Sequence, residues 1–275
     1  MFVAVTNAAT HALEAGDSFQ HGHPDQFALL RPQAERMLNL APFVVGGDIP
    51  HSNNSILFHW NQMANRLLEA DPDAGARLAA RCIANFAMDN SVTAGFRPYP
   101  LKFLFRAAKV KPDVVWPAVT RQLEMPNKAR GTWQLLNWLR GDQSRVSESE
   151  AGLGAIPTSM AFAWIDADIA QRAWLLAEYC PPGVSKLGEA PTFAREMLER
   201  YGAREDVRSS LHANHFTGSW RGSASEHYAP KLADLKTQLD AETNDHVRMW
   251  LKEHRNKLQQ TIEHQQEQER RESEY

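Results

Sequence analysis

Two groups of side chains in this sequence are of types that do chemistry. His21, His23 and Asp25, in the stretch HGHPD, offer two imidazoles and a carboxylate within five residues, with His11 or His51 as a further donor. Zinc and other first-row ions accept such ligands. No second spaced cluster of His, Asp or Glu completes the set, so a solvated loop is the plainer reading and no cofactor is expected. The second group is His212, His215, Glu226 and His227, which flank FTGSWRGSAS at 216–225. Ser219, Ser223 or Ser225 beside a histidine would suggest a nucleophile and its base. A hydrolase of that kind holds its serine on a Gly-x-Ser-x-Gly elbow after a strand, which is missing here. The stretch reads instead as a binding loop, with Trp220 as an aromatic anchor, Arg221 as a charged one, and His215 and His227 at its borders. The alternative is a plain connection in which Trp220 packs on the next helix.

A third pattern is electrostatic. Arg77, Arg81, Arg97, Lys102, Arg106, Lys109 and Lys111 fall close together, and the spacings 77/81 and 102/106/109 align them along helix faces. A basic face of this kind would suit nucleic acid, although the net charge of −3 gives no general attraction to phosphate. Cys82 and Cys180 lie far apart in apolar runs and read as buried thiols rather than a disulfide framework. No run approaches the roughly 20 apolar residues of a membrane span, and the N-terminus lacks the basic and apolar regions of a signal peptide. A soluble cytoplasmic protein with no membrane partner is expected.

The elements that must carry these residues are helices. From Asn54 onward, Ile56, Trp60, Met63, Ala64, Leu67 and Leu68 recur at helical spacing. Asp71-Pro72 supplies an N-cap and a first-turn proline, after which Leu78, Ala79, Cys82, Ile83 and Phe86 form a second stripe. Lys111-Pro112 separates a third stripe (Leu101, Leu104, Phe105, Ala108) from a fourth (Val115, Ala118, Val119, Leu123), with a late start or a kink expected at Trp116-Pro117. Trp133, Leu136 and Leu139 mark a fifth helix. Further helices are predicted near 157–164, 168–179, 191–201, 204–215, 225–240 and 244–265, with Gly202 as a left-handed C-cap. Strand alternation is missing throughout. Residues 1–53 form an irregular cap or linker, 54–262 a helical domain with a mobile loop near 141–154, and 263–275 a polar tail expected to fray or project into solvent.

Three of these helices open alike. Asp168 with Arg172, Asp206 with Arg208, and Asp245 with Arg248 each precede an apolar stripe, and the first copy places Trp164, Trp174 and Leu176 in the core. Helices too short to bury their own stripes must stack on neighbours. The pattern resembles HEAT and armadillo-type repeats, in which such Asp and Arg side chains tie one hairpin to the next. That resemblance implies an all-α superhelix of antiparallel helix pairs. A weaker likeness, carried by MLERYGAREDVRSSLHANHFTGSW at 197–220 and ERRESEY at 269–275, is to the helical-repeat C-terminal regions of large bacterial multidomain proteins, including sensor regions behind phage-defence NTPases. Both imply a non-enzymatic recognition or scaffold role with another protein or peptide as partner. The alternatives are a HEAT-like nucleic-acid-binding protein or DNA glycosylase, using Arg77, Arg81, Lys102, Arg106 and Lys109, and a metal-dependent hydrolase using His21, His23 and Asp25.

Overall fold

Asp71 shows how this chain turns from one helix into the next. Its Oδ1 accepts a hydrogen bond from the Ala74 amide at 2.9 Å, while Pro72 occupies the first helical position, where a missing N–H costs nothing. The helix before it therefore ends at Ala70, and the next one starts after a single residue. In the computed structural model, residues 53–88, 98–126, 130–141, 152–215 and 224–273 are described. Among these every regular element is helical: α1 Asn53–Ala70, α2 Pro72–Met88, α3 Pro98–Val110, α4 Pro112–Leu123, α5 Arg130–Arg140, α6 Thr158–Asp166, α7 Ile169–Glu178, α8 Phe193–Tyr201, α9 Glu205–His215, α10 Ala224–Ala241 and α11 Asp245–Ser273, with one 3-10 turn at Gly152–Ala155. The chain divides into two units, up to Ala161 and from Phe162.

In the first unit α2 is the hub, packed against α1, α3, α4 and α5. Its composition explains why. Ala74, Ala76 and Ala79 are buried alongside Leu78, Cys82 and Ile83, so small side chains let several neighbours approach one axis. At Gly75 the approach is closest: a Cβ there would lie 2.6 Å from the Leu68 Cα. The α1 stripe is buried as its spacing predicts, through Trp60, Met63, Ala64, Leu67 and Leu68, and Trp60 meets Phe103 of α3 edge-on at 5.4 Å. Leu136, Trp138 and Leu139 bury α5, and the 3-10 turn closes on it so tightly that a Cβ on Gly152 would strike the Trp138 indole. That turn occupies the end of the stretch expected to be a mobile loop.

Other expectations are corrected. Helix α4 starts at Pro112 and runs through Pro117, so of the late start or kink expected there the late start is absent; Pro112 at the first helical position loses no bond, whereas Pro117 inside the helix offers no N–H to the Asp113 carbonyl. Gly202 has φ −66°, an ordinary right-handed value, so it is not a left-handed cap. Its glycine is needed for space: a Cβ would meet the Leu198 carbonyl and come within 2.7 Å of the His246 Cβ on α11. Helix α11 continues to Ser273, so of the fraying or projection into solvent expected for the polar tail, the described residues there stay helical with no described side chain buried. Asn244, not Asp245, caps it, accepting from the His246 and Val247 amides.

The core assignment of the first Asp/Arg helix is also only partly right. Leu176 is fully buried, Trp164 is half-buried, and Trp174 is 38 % exposed. The buried arc of α7 centres on Ala173, Leu176 and Ala177 and closes on the other side with Leu175, which leaves Trp174 outside. Replacing Trp60 by Ala should therefore cost about 3–5 kcal/mol through lost burial and the cavity left behind. Trp174→Ala should change stability far less. Paired urea titrations check the contrast, and equal losses from the two variants would contradict this core.

Candidate functional site

Several polar side chains in the second unit close the ends of other helices. The last carbonyls of a helix lack intrahelical donors and must find partners elsewhere. Arg172, in the second turn of α7, donates to the Trp164 carbonyl near the end of α6 at 2.9 Å and lays its guanidinium over the Trp164 ring. Arg208 of α9 donates to the carbonyls of Gly202 and Ala203, just past α8. Asn214, 3 % exposed, donates to the carbonyls of Ala177 and Cys180 at the end of α7. Arg204 reaches back to Ala170 and is held by Asp206, whose carboxyl it keeps below the ordinary range. Asp168 caps its own helix through the Gln171 amide. Arg248, the third arginine of the series, is exposed.

The strongest of these ties is a buried ion pair. Arg195 of α8 makes a two-pronged contact with Glu242, the residue after α10, at 2.8 and 3.1 Å, with both side chains almost sealed from solvent. Arg195 also donates to the Ser185 carbonyl and to Glu199. Glu242 accepts the Thr243 and Asn244 amides as well. Burial alone would raise the Glu242 pKa, but Arg195 and the two amides outweigh it and hold the carboxyl below the usual range. The Arg195 amide is itself fixed by Thr192, the N-cap of α8, which exchanges hydrogen bonds with Ser185.

A second buried polar group joins α9 to α11. His212, 2 % exposed, places Nδ1 3.3 Å from Nδ1 of His254 and Nε2 3.2 Å from Glu253. Both imidazole planes lie within 9° of the Trp250 indole, with centroids 4.8–4.9 Å from it. Arg208 grips the same Glu253 through Nε at 3.1 Å to each oxygen. Burial pushes His212 down to about 4, and Lys257 and Arg208 act in the same direction, against the pull of Glu253. His212 is therefore neutral at pH 7. By sequence, His212 is singled out beside the 216–225 loop and is not joined to His254 of α11. A histidine inside an otherwise apolar stripe was the available signal.

The other candidate residues fare as follows. Trp220 and Arg221, like Arg97, His21, His23 and Asp25, lie outside the described residues, and so does the side chain of His215. His227 is exposed on α10, in contact with the Lys231 ammonium at 3.2 Å. Among the described residues no group of three or more His, Cys, Asp or Glu is placed to hold a metal. Arg77 and Arg81 are exposed on α2, and Lys102, Arg106 and Lys109 on α3. Arg106 is turned to α1, donating to Asn65 at 2.9 Å and to Glu69, and Lys111 is paired with Asp73. Cys82 and Cys180 are buried free thiols, and burial raises the Cys82 pKa to about 12 and that of Cys180 beyond it. At neutral pH neither offers a thiolate.

No family model matches this sequence, and no curated protein or solved structure is significantly similar to it.

The ion pair yields a direct test. Arg195→Met leaves a buried carboxylate without its counter-charge and should cost about 3–5 kcal/mol. Adding Glu242→Gln to that variant should restore much of the loss, because the glutamine oxygen still accepts the Thr243 and Asn244 amides. Denaturant melts of both variants read this, and additive losses would contradict the pairing.

Proposed function

We propose that this chain is a non-enzymatic recognition or scaffold module, a superhelix of stacked helix pairs of HEAT/armadillo type, whose partner is another protein or peptide. The observation that carries this reading is Trp174. Its helix is buried on one side through Ala173, Leu176 and Ala177, yet presents an indole 38 % exposed on the other. Arg204 stands beside the same stretch of α7, bonded to the Ala170 carbonyl one turn earlier, but its guanidinium is already paired with Asp206, so the indole is the anchor. Tryptophan and arginine are the residue types that most often anchor protein partners. The helix-end ties made by Arg172 and Arg208 support the repeat reading, since each arginine fastens its helix to the end of the preceding one. In a larger bacterial system the module would serve as a sensor or interaction region, with catalysis elsewhere.

A second reading, nucleic-acid binding through the first unit, is favoured by the exposed row Lys102, Arg106 and Lys109 together with Arg77 and Arg81. The commitment of Arg106 to Asn65 and Glu69 weakens it, because a guanidinium already paired gains less from a phosphate.

The two readings separate experimentally. Photo-crosslinking from position 174 in the native cell should capture a defined partner, and Trp174→Ala should weaken its binding by about 1–3 kcal/mol with little change in melting temperature. Binding to random-sequence duplex DNA that falls steeply with salt, and is lost in the Lys102→Glu, Lys109→Glu double variant, would replace this reading with the second.

A further inference from the structure

Two imidazoles that face each other through one nitrogen apiece can share one proton across that contact and no more. The 3.3 Å separation of the His212 and His254 Nδ1 atoms, with ring planes 9° apart, is such a contact. Its tautomers follow from the neighbours. Glu253 is held ionised: burial works to raise its pKa, but its bonds to Arg208 and His212 prevail. A carboxylate only accepts, so the His212 proton sits on Nε2, 3.2 Å from Glu253. That leaves His212 Nδ1 as the acceptor and places the other proton on His254 Nδ1.

Protonation of His254 would leave this contact as it is, since its Nδ1 already carries the proton. A second proton has only His212 Nδ1 to occupy. There it would meet an N–H head-on, between two imidazolium rings buried together with Arg208 and near Lys257. Closed geometry and full protonation are incompatible.

We propose that the His212–His254 pair is an acid-sensitive latch, which keeps α11 docked on α9 at neutral pH and releases that seam when both imidazoles become protonated. Among the described residues, charged groups are placed around it on several elements. Arg208 comes from α9, and Glu253 and Lys257 from α11. On α10, which packs along α11, Lys231 contacts His227 and Asp234 pairs with Lys186, while Lys236 and Asp240 are exposed. On α8, Arg195 is taken by Glu242 and Glu199, and Arg200 lies over Phe162. From α7 the contact to α9 is made by the Ala177 carbonyl and, just beyond the helix, that of Cys180, both neutral. Release is confined to the stretch around 250–258, because the start of α11 stays anchored by Asn244 and by the Arg195–Glu242 pair.

The direction with pH follows from linkage. Above 6.5, the ordinary histidine value, open and closed forms are both neutral at His212 and the latch is at full strength. Between 6.5 and about 4 the open form binds more protons than the closed one, so the closed form loses ground as pH falls.

The test is an imidazole 15N and backbone amide NMR titration of the full chain from pH 7.5 to 4.5, on the wild type and on His254→Gln and His212→Gln. At pH 7.5 His254 Nδ1 should carry a proton and His212 Nδ1 a lone pair. Below pH 6 the amides of 208–212 and 250–258 should move or broaden while those of 195–201 stay in place, and either variant should lose this acid response. Independent titration of both rings near 6.5 with the seam unmoved would overturn the proposal, as would an acid response that persists in the variants or spreads to 195–201. If a variant fails to fold, the wild-type ring titration decides alone.

Discussion

The second unit depends on one buried ion pair, Arg195 with Glu242. Removing both charges from water is expensive, and their attraction offsets that cost with the help of further hydrogen bonds to each partner. Arg195 spends its remaining donors on Ser185 and Glu199, and Glu242 accepts two amides of the turn that begins α11. Helix α8 and the loop that leads into it thus meet the α10–α11 turn, 47 residues on from Arg195, at one point. From that anchor α11 runs past α8, where Gly202 admits it closely, and on to the histidine seam with α9. Polar contacts in this unit set which helix end meets which, while the apolar stripes supply the burial.

The first unit reaches its packing by a different route. There the constraint is volume: an alanine-rich α2 allows four helices to close on it, and Trp60 and Phe103 fill the space between α1 and α3. Its basic side chains sit outside that core. The two units therefore invite different losses, cavities in the first and orphaned charges in the second.

How much of this could be read from the chain depends on the range of the interaction. The α1 stripe and the Asp71-Pro72 turn were legible because helical period and capping act within a few residues. Trp174 was misplaced because it lies at the edge of an arc that also holds Ala173 and Ala177, and spacing alone cannot say whether the arc closes with Trp174 or with Leu175. Gly202 was read as a backbone exception, but its reason is space, limited by the Leu198 carbonyl and by His246, the latter 44 residues further on in a different helix. Arg195–Glu242 and His212–His254 join residues more than 40 positions apart, with nothing local to announce them. Trp220 and Arg221 were chosen by residue type and lie outside the described residues, whereas the exposure of Trp174 follows from which side of α7 its neighbours bury.

Amide hydrogen exchange at Thr243 and Asn244 tests the central role of the ion pair most directly. Both residues lie in a turn, where amides ordinarily exchange at near open-chain rates, and Thr243 is exposed. If Glu242 is locked by Arg195 and holds their N–H groups, both should exchange at least about a hundredfold more slowly than an open chain and keep pace with the amides of α8. Exchange of Thr243 and Asn244 at open-chain rates, while α8 remains protected, would show that the pair does not organise this unit.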